Sequence, residues 1–516
     1  MKLVMLDFIY VVICHQELRE KLTMSIVDTI PSPLVAKMRK LLALLLNSLK
    51  KYTFSQYDVS TALPLFLRGI SLILIISIGS ILYQFNDLSL VDNVLKVDSY
   101  SNNLFSFFLF KLFDFIGFKL LLWISLFLSI ALFFLFLPFW ILLLNACIYL
   151  MLIIYFPTFL SFQWDILLIE TLFLSLVLVS PRLLIIKPRA ILTISYLQVL
   201  PLILLMVRLF YHSGLVKLFS NDPLWLGQSV MDIHLFSQPL PHFLSYYFHG
   251  FIIQHNLSPF ITQLMFVIEL IVPFGLLIPT YRRISAGILI FFQSLIILTG
   301  NYGFFNFLVI VILFLSFFMG PNHGSIIFKY KPRIFRFVLL PILSILIINS
   351  FFVIQSPRST PPLFKTVFSQ FRLFNGYGLF ARMTTNQTRF NIYLSKDTQT
   401  WEPLKLNYYD ADGFPTMPFV QPYHPRIRWQ LWFKFIYDGH YPTWYLNFIR
   451  LVAKNPHSLP SLLAENANLS DNYSYVQLCY QDIVFSLNEP SENKYWRPLL
   501  NRRCHFYDVK SGSVYR

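Results

Sequence analysis

The residues able to do chemistry sit where they are most costly to place. The run Gln163-Trp164-Asp165-Ile166-Leu167-Leu168-Ile169-Glu170 carries two carboxylates five residues apart, in a stretch otherwise nearly all hydrocarbon as far as Ser180. Arg208 and His212 are one helical turn apart in a second apolar run that ends near Lys217, and Glu269 lies in a third. A charge at membrane depth costs about 2.5–3.5 kcal/mol on insertion scales, so each must face a partner, a cavity or an interface. The simplest arrangement is a buried polar network of Asp165, Glu170, Arg208, His212 and Glu269, in which Glu170 and Glu269 neutralise Arg208 and also Lys217. An ion pair is tolerated in low dielectric where a lone charge is not. Such pairs either fix helix packing or line a polar cavity for a substrate or a lipid. Lys217 has two further readings: a weak candidate base desolvated near the outer boundary, or a side chain snorkelling to the headgroups.

The segment 220–258 holds His234, His242, His249 and His255 at spacings of eight, seven and six. No compact helical metal pair has that spacing, and no clustered cysteine joins it, so no metal is expected. Gln238-Pro239-Leu240-Pro241 fixes an extended stretch. Asn301 and Asn306 flank Tyr302-Gly303-Phe304-Phe305 at the join of two apolar runs. With Gln238 and His249 they mark a loop or pocket mouth, or simply cap helix ends. Nucleophile elbow, P-loop and dinucleotide fingerprint are all missing from the sequence, and no cofactor is expected.

The elements that must position these residues are membrane helices. The 516 residues are 56% hydrophobic and 13% charged, with mean hydropathy +0.60, whereas soluble domains run near 25% charged. Net charge +16 would point to nucleic acid in a soluble chain. Here the basic residues fall in short loops, as the positive-inside rule requires, and no nucleic-acid partner is expected. The chain reads as a polytopic α-helical bundle of about nine spans, near 66–85, 117–137, 138–156, 164–180, 198–219, 259–280, 283–300, 303–320 and 335–355. Pro138 is the hairpin point between the second and third. Residues 1–60 form a cytoplasmic or interfacial head, 61–355 the helical domain with an outer loop at 220–258, and 104–115 a short interfacial stretch. Arg182, Lys187 and Arg189, then Arg282 and Arg283, then Lys329, Lys331 and Arg333 all fall on the side of the head. That predicts a cytoplasmic N-terminus and an extracytoplasmic C-terminal domain at 356–516.

The tail differs in character. Phe390, Ile392 and Leu394 alternate with polar neighbours, as do Val476, Leu478 and Tyr480, and so read as half-buried strands. Trp429 to Tyr437 and Thr443 to Lys454 read as short amphipathic helices. The expectation is a β-rich α+β domain with its own core. Its 18 Lys/Arg against 11 Asp/Glu give +7, a balance suited to anionic headgroups or a plain solvated surface. Trp429, Trp432 and Trp444 are either partner-binding anchors or core. Cys479 and Cys504 pair if the domain is extracytoplasmic, or remain two thiols.

In order along residues 60–510, these motifs resemble the lipase maturation factor family. The run Gln163, Trp164, Asp165, Leu167, Leu168, Glu170 opens a span as in that family. Arg208 with Ser213 to Lys217, Gln238 to Pro241 with His249, Glu269-Leu270 with Pro273-Phe274, and Gly300 to Asn306 follow. In the tail come Pro425, Arg426, Trp429, Gln430, Trp432 and Phe433, then the helix around Trp444. Leu172, Leu235, Phe236, Tyr423, His424 and Arg428 depart from the family pattern, marking a divergent member. The resemblance implies an endoplasmic reticulum membrane protein (an inner-membrane protein in a bacterium) that helps secreted lipases or other secretory clients fold and assemble, chaperone-like and not an enzyme. Gly214 to Lys217 with Trp225 is more faintly similar to the vitamin K-dependent γ-carboxylase, which implies the rival reading of a membrane enzyme with a lysine base.

Overall fold

A computed structural model describes residues 56–92, 117–321, 371–373, 375–436, 441–464, 469–487, 495–512 and 514–515. Most of the head, the stretch 104–115 and the expected span 335–355 lie outside the described residues. The main helices are α1 (Ala62–Asp92), α2 (Phe118–Phe133), α3 (Pro138–Tyr155), α4 (Gln163–Ser175) and α5 (Tyr196–Leu218). Then come α6 (Met231–Ser237), α7 (Phe243–Gln254), α8 (Ser258–Leu270), α9 (Arg282–Thr299) and α10 (Phe305–Phe318). The tail adds α11 (Arg426–Ile436) and α12 (Thr443–Lys454).

Five helical segments among the described residues are long and apolar enough to cross a membrane: Ala62–Val91, Pro138–Tyr155, Tyr196–Leu218, Ser258–Leu277 and Arg282–Thr299. Helices α2 and α10 are apolar but shorter. The turn between α2 and α3 falls at Pro138, which occupies the first position of α3, where its missing N–H costs nothing. The span expected over 164–180 is cut back. Helix α4 has 13 residues and tightens into a 3-10 turn over Leu176–Leu178. The hydroxyls of Thr171 and Ser175 donate to the carbonyls of Leu167 and Thr171, at 2.7 and 2.6 Å, a pattern that bends and weakens helices. Beyond α8, Pro273 sits in a 3-10 segment, Val272–Leu277, that completes the crossing.

A small antiparallel sheet gathers one end of the bundle. Strand β1 (Gln56–Asp58) lies between β2 (Thr193–Ser195) and β3 (Gly320–Pro321). The buried Arg282 stacks its guanidinium over Tyr57 and Tyr196, at 5.1 and 4.9 Å, at the same end. Phe136 bridges to Ile185 there, so the loop bearing Arg182, Lys187 and Arg189 belongs to this end as well.

The tail caps the other end. Strands β4 (Gln387–Ser395), β5 (Glu402–Leu404), β6 (Tyr475–Phe485), β8 (Arg503–Asp508) and β9 (Val514–Tyr515) follow the order β5-β4-β6-β8-β9, all antiparallel, with β7 (Trp496–Pro498) also on β6. Phe390, Ile392 and Leu394 point into the core, as their alternation requires. The cross-strand pair Cys479–Cys504 is a disulfide. Where the sequence suggested a tail with its own core, one apolar core instead runs unbroken from the helices into the tail. Helix α12 buries Tyr445, Phe448, Ile449 and Val452, and the Asn447 amide donates to the Val91 carbonyl at the end of α1 at 3.4 Å.

Candidate functional site: a buried charge network between helices and tail

Among the described residues three buried ion pairs tie helices to one another and to the tail. Glu170, at the middle of α4, accepts from Arg208 of α5, with both side chains almost completely enclosed. Its other oxygen accepts from the Tyr377 hydroxyl at 2.8 Å, and the Tyr377 ring lies against the Arg208 guanidinium, 5.6 Å from centroid to Cζ. One turn beyond His212 on α5, Lys217 donates to both oxygens of Glu269 on α8, at 2.6 and 2.8 Å, and sits 5.3 Å over the Trp225 ring. The helices meet closely there because Gly214 has no side chain. A Cβ on it would come within 2.7 Å of Leu270 and 3.2 Å of Glu269. The expected pairing is therefore divided: Glu170 takes Arg208 and Glu269 takes Lys217.

The third pair joins the tail to the bundle. Arg426 opens α11 and makes a fork on Asp165 of α4, Nη1 to Oδ2 at 2.9 Å and Nη2 to Oδ1 at 2.8 Å, with both side chains fully buried. Nη1 also donates to the Phe159 carbonyl at 2.7 Å. Asp165 accepts in addition from the Tyr149 hydroxyl at 2.5 Å, which meets the Ser77 hydroxyl at 2.8 Å. The planar guanidinium matches a carboxylate in two parallel bonds. Gln84 of α1 completes the clasp: its Oε1 accepts the Arg426 N–H at 2.9 Å and its Nε2 donates to the His424 carbonyl at 2.8 Å. Asp87, one turn on, accepts the Ser461 N–H at 2.8 Å and its hydroxyl at 2.5 Å.

Reading the sequence missed Arg426 as the partner of Asp165. A charge count did not single it out, because Arg68, Lys119 and Arg283 also fall within the expected spans beside Arg208 and Lys217. The available pointer was the tail motif Pro425-Arg426, which stands among the family-like motifs and places its arginine on Asp165.

The loop residues Gln238 and Asn301 join this frame through hydrogen bonds. Gln238 donates to the Thr299 carbonyl at 2.7 Å and accepts from the Tyr302 hydroxyl at 2.8 Å, while its own carbonyl accepts from Gln387 of β4 at 2.5 Å. Asn301 donates to Leu240 and Pro418 carbonyls at 3.0 and 2.8 Å and accepts the Val420 N–H at 2.9 Å. Asn306 is buried on α10. His249 is wedged between the rings of Phe236 and Phe485, 5.5 Å from each, and burial pushes its imidazole down to about 4. His242 caps α7, its Nδ1 accepting the Leu244 N–H at 3.2 Å. His212 is buried on α5, one turn from Arg208. Among the described residues no group of three or more His, Cys, Asp or Glu could hold a metal.

The tryptophans are packing residues. Trp429 and Trp432 are 3% and 6% exposed. Trp429 meets Trp164 of α4 edge to face at 4.9 Å, and the half-buried Trp444 meets Phe159 at 5.9 Å. Trp429 and Trp432 are thus packed against the bundle with little ring surface left exposed, while Trp444 keeps part of its surface open. His424, one of the divergent positions, lies 4.5 Å from Trp164, and Gly303, at φ +58, passes so close that a Cβ would come within 3.0 Å of its imidazole.

The same motifs decide the family. Residues 61–319 match the model of the lipase maturation factor transmembrane domain, and 373–504 that of the lipase maturation factor C-terminal domain. The chain belongs to the lipase maturation factor family. It is 29% identical over 300 residues to lipase maturation factor 1 of Mus musculus, covering 51% of each chain. It is 25% identical over 421 residues to lipase maturation factor 2 of Gallus gallus, covering 59% of this chain and 58% of that one. With lipase maturation factor 2 of Mus musculus the identity is 38% over 165 residues, 30% of this chain and 23% of that one. The chain spans about half the length of the curated relatives it matches. No solved structure matches it. Family membership and the apolar helices make it an integral membrane protein. All three ion pairs lie within the two matched regions, and Asp165–Arg426 links one region to the other.

Proposed function

We propose that this protein is a membrane-resident maturation factor for secreted lipases or similar secretory clients, in the endoplasmic reticulum membrane if its source is a eukaryote and the inner membrane if a bacterium, with its tail on the extracytoplasmic side. The observation that carries the orientation is a separation of ends. The loop with Arg182, Lys187 and Arg189, and the start of α9 with Arg282 and Arg283, cluster around β1, β2 and β3. The tail engages Asp87, Phe159, Asp165 and Asn301 at the opposite end. Basic loops favour the cytosol, so the tail faces away from it. A disulfide in the tail accords with an oxidising compartment. Eight helices, α1 to α5 and α8 to α10, alternate in direction between the two ends. A ninth crossing would return the chain from the basic end at Pro321 to the tail, as the sequence expectation of nine spans has it.

The names of the relatives supply the client class; the structure supplies a scaffold in which three buried ion pairs hold helices and tail together. Expression in cells that lack their own maturation factor, together with a secreted lipase, tests the reading. Active lipase in the medium is the expected result. A membrane-inserted, folded protein that leaves the lipase inactive refutes it. The rival reading, an enzyme with Lys217 as base and Glu170, Arg208 and Glu269 around a pocket, has less support. Lys217 is engaged by both oxygens of Glu269, and Glu170 by Arg208 and Tyr377.

A further inference from the structure

Helix α7 has its apolar side outward. Its buried positions include Ser245 and His249, while Phe243, Tyr247 and Phe251, at a spacing of four, are 43%, 57% and 53% exposed. Phe248 beside them is exposed too, and the twelve residues carry no Lys, Arg, Asp or Glu. In a water-facing helix the pattern would be reversed.

Its position says what covers this face. The Ser245 hydroxyl donates to the Thr299 carbonyl at 2.8 Å, which fixes the start of α7 at the outer end of α9. At its other end a short turn, with Leu257 N–H on the Ile252 carbonyl at 3.0 Å, leads directly into α8. Both attachment points are outer ends of membrane segments, so α7 runs across the bundle axis and not along it. On the side away from the bilayer it holds the tail: the Tyr246 hydroxyl donates to the Ser486 carbonyl at 2.6 Å and His249 packs on Phe485. Below it, α8 and α9 present lipid-facing residues such as Phe260, Leu264, Ile288 and Phe291. Phe219, just beyond α5 at the same level, is exposed as well.

We infer that α7 is an interfacial helix lying in the outer leaflet, with Phe243, Tyr247 and Phe251 among the headgroups and upper acyl chains, and that it seats the tail sheet on the membrane surface. The occupant is lipid because the exposed stripe continues the lipid-facing surface of α8 and α9. Phe and Tyr are also residues that settle at this depth, the apolar ring in the acyl boundary and a polar end in the headgroups.

The full chain in lipid nanodiscs, one copy per disc, tests this with an environment-sensitive fluorophore on a single introduced cysteine, Cys14 and Cys147 being replaced by Ser. Labels at Tyr247→Cys and Phe251→Cys should emit blue-shifted. They should be shielded from aqueous iodide, and quenched several-fold more by lipid with a nitroxide near the headgroup than by lipid with one near the chain terminus. Gln399→Cys, on an exposed tail turn, is the aqueous control. Iodide quenching at 247 and 251 equal to that at 399 overturns the inference. Shielding without lipid quenching, or shielding that needs two chains per disc, overturns it in favour of a protein partner or self-association. None of these readouts depends on lipase maturation, so the inference and the proposed function can fail separately.

Discussion

Replacing Arg426 by Met tests whether the buried fork on Asp165 holds the tail to the bundle. In the native protein the fully buried Asp165 carboxylate receives two bonds from the guanidinium, one from Tyr149 and a backbone bond at Phe162. Arg426→Met keeps most of the side-chain volume, removes the cation and leaves Asp165 with only the Tyr149 hydroxyl and a backbone bond at Phe162. Breaking a buried pair by removing one partner costs about 3–5 kcal/mol, because the remaining charge is uncompensated. The Phe159 carbonyl loses its donor in the same change. Against a typical margin of about 5–15 kcal/mol this is a large fraction of the stability. The assay is unfolding of the full chain in nanodiscs, combined with limited proteolysis of the tail. The single variant should unfold well below the native protein and release tail fragments. Asp165→Leu combined with Arg426→Met removes both charges, and an apolar pair of similar volume is often neutral or stabilising. The double variant should recover most of the loss, with an interaction energy well above the ~0.3–0.5 kcal/mol within which independent sites add. Additive losses, or a single-variant cost under ~1 kcal/mol, would refute the reasoning.

Lys217→Met should cost about 3–5 kcal/mol by stranding Glu269, and Glu269→Gln on the same chain should restore stability and lipase maturation, whereas a catalytic lysine would leave maturation lost. Trp429→Ala should lower stability by about 3–5 kcal/mol in unfolding experiments through the cavity left against Trp164 and His424. A variant of native stability that still failed to bind a client would restore the anchor reading. His249 makes stability fall with acidity. Its unfolded imidazole protonates below 6.5 and the buried one only near 4, so the unfolded state binds more protons across that window. Stability should be level above pH 6.5 and decline from 6.5 to 4, by up to about 3 kcal/mol for this group. In the His249→Leu variant the decline measured by denaturation at stepped pH should be shallower.

Local pattern made individual elements legible. The alternation at Phe390–Leu394 and Val476–Tyr480 marks β4 and β6, and the apolar runs mark seven of the spans as apolar helices, from Ala62–Val91 to Phe305–Phe318. Helix α4 tightens into a 3-10 turn at Leu176–Leu178 near its end, a change of winding that hydropathy does not register. For Trp429 and Trp432 the sequence left burial and partner binding both open, and it gave no sign of what lay against them. Periodicity identifies a face and is silent about its neighbour, so the contact of Trp429 with Trp164, some 265 positions away, had no local sign.

The buried charges carry information that periodicity lacks. Electroneutrality in low dielectric is a global constraint, so each carboxylate buried among the helices demands a cation, from another helix or from the tail. Asp165 meets that demand through Arg426, Glu170 through Arg208 beneath Tyr377, and Glu269 through Lys217. Each of these links joins segments whose mispairing would leave an ion in hydrocarbon, a penalty that apolar packing of interchangeable Leu, Ile and Phe does not impose. In a bundle this uniformly apolar the pairs therefore act as the register: they select which helix faces which, and they admit the tail only in the one orientation that places Arg426 on Asp165.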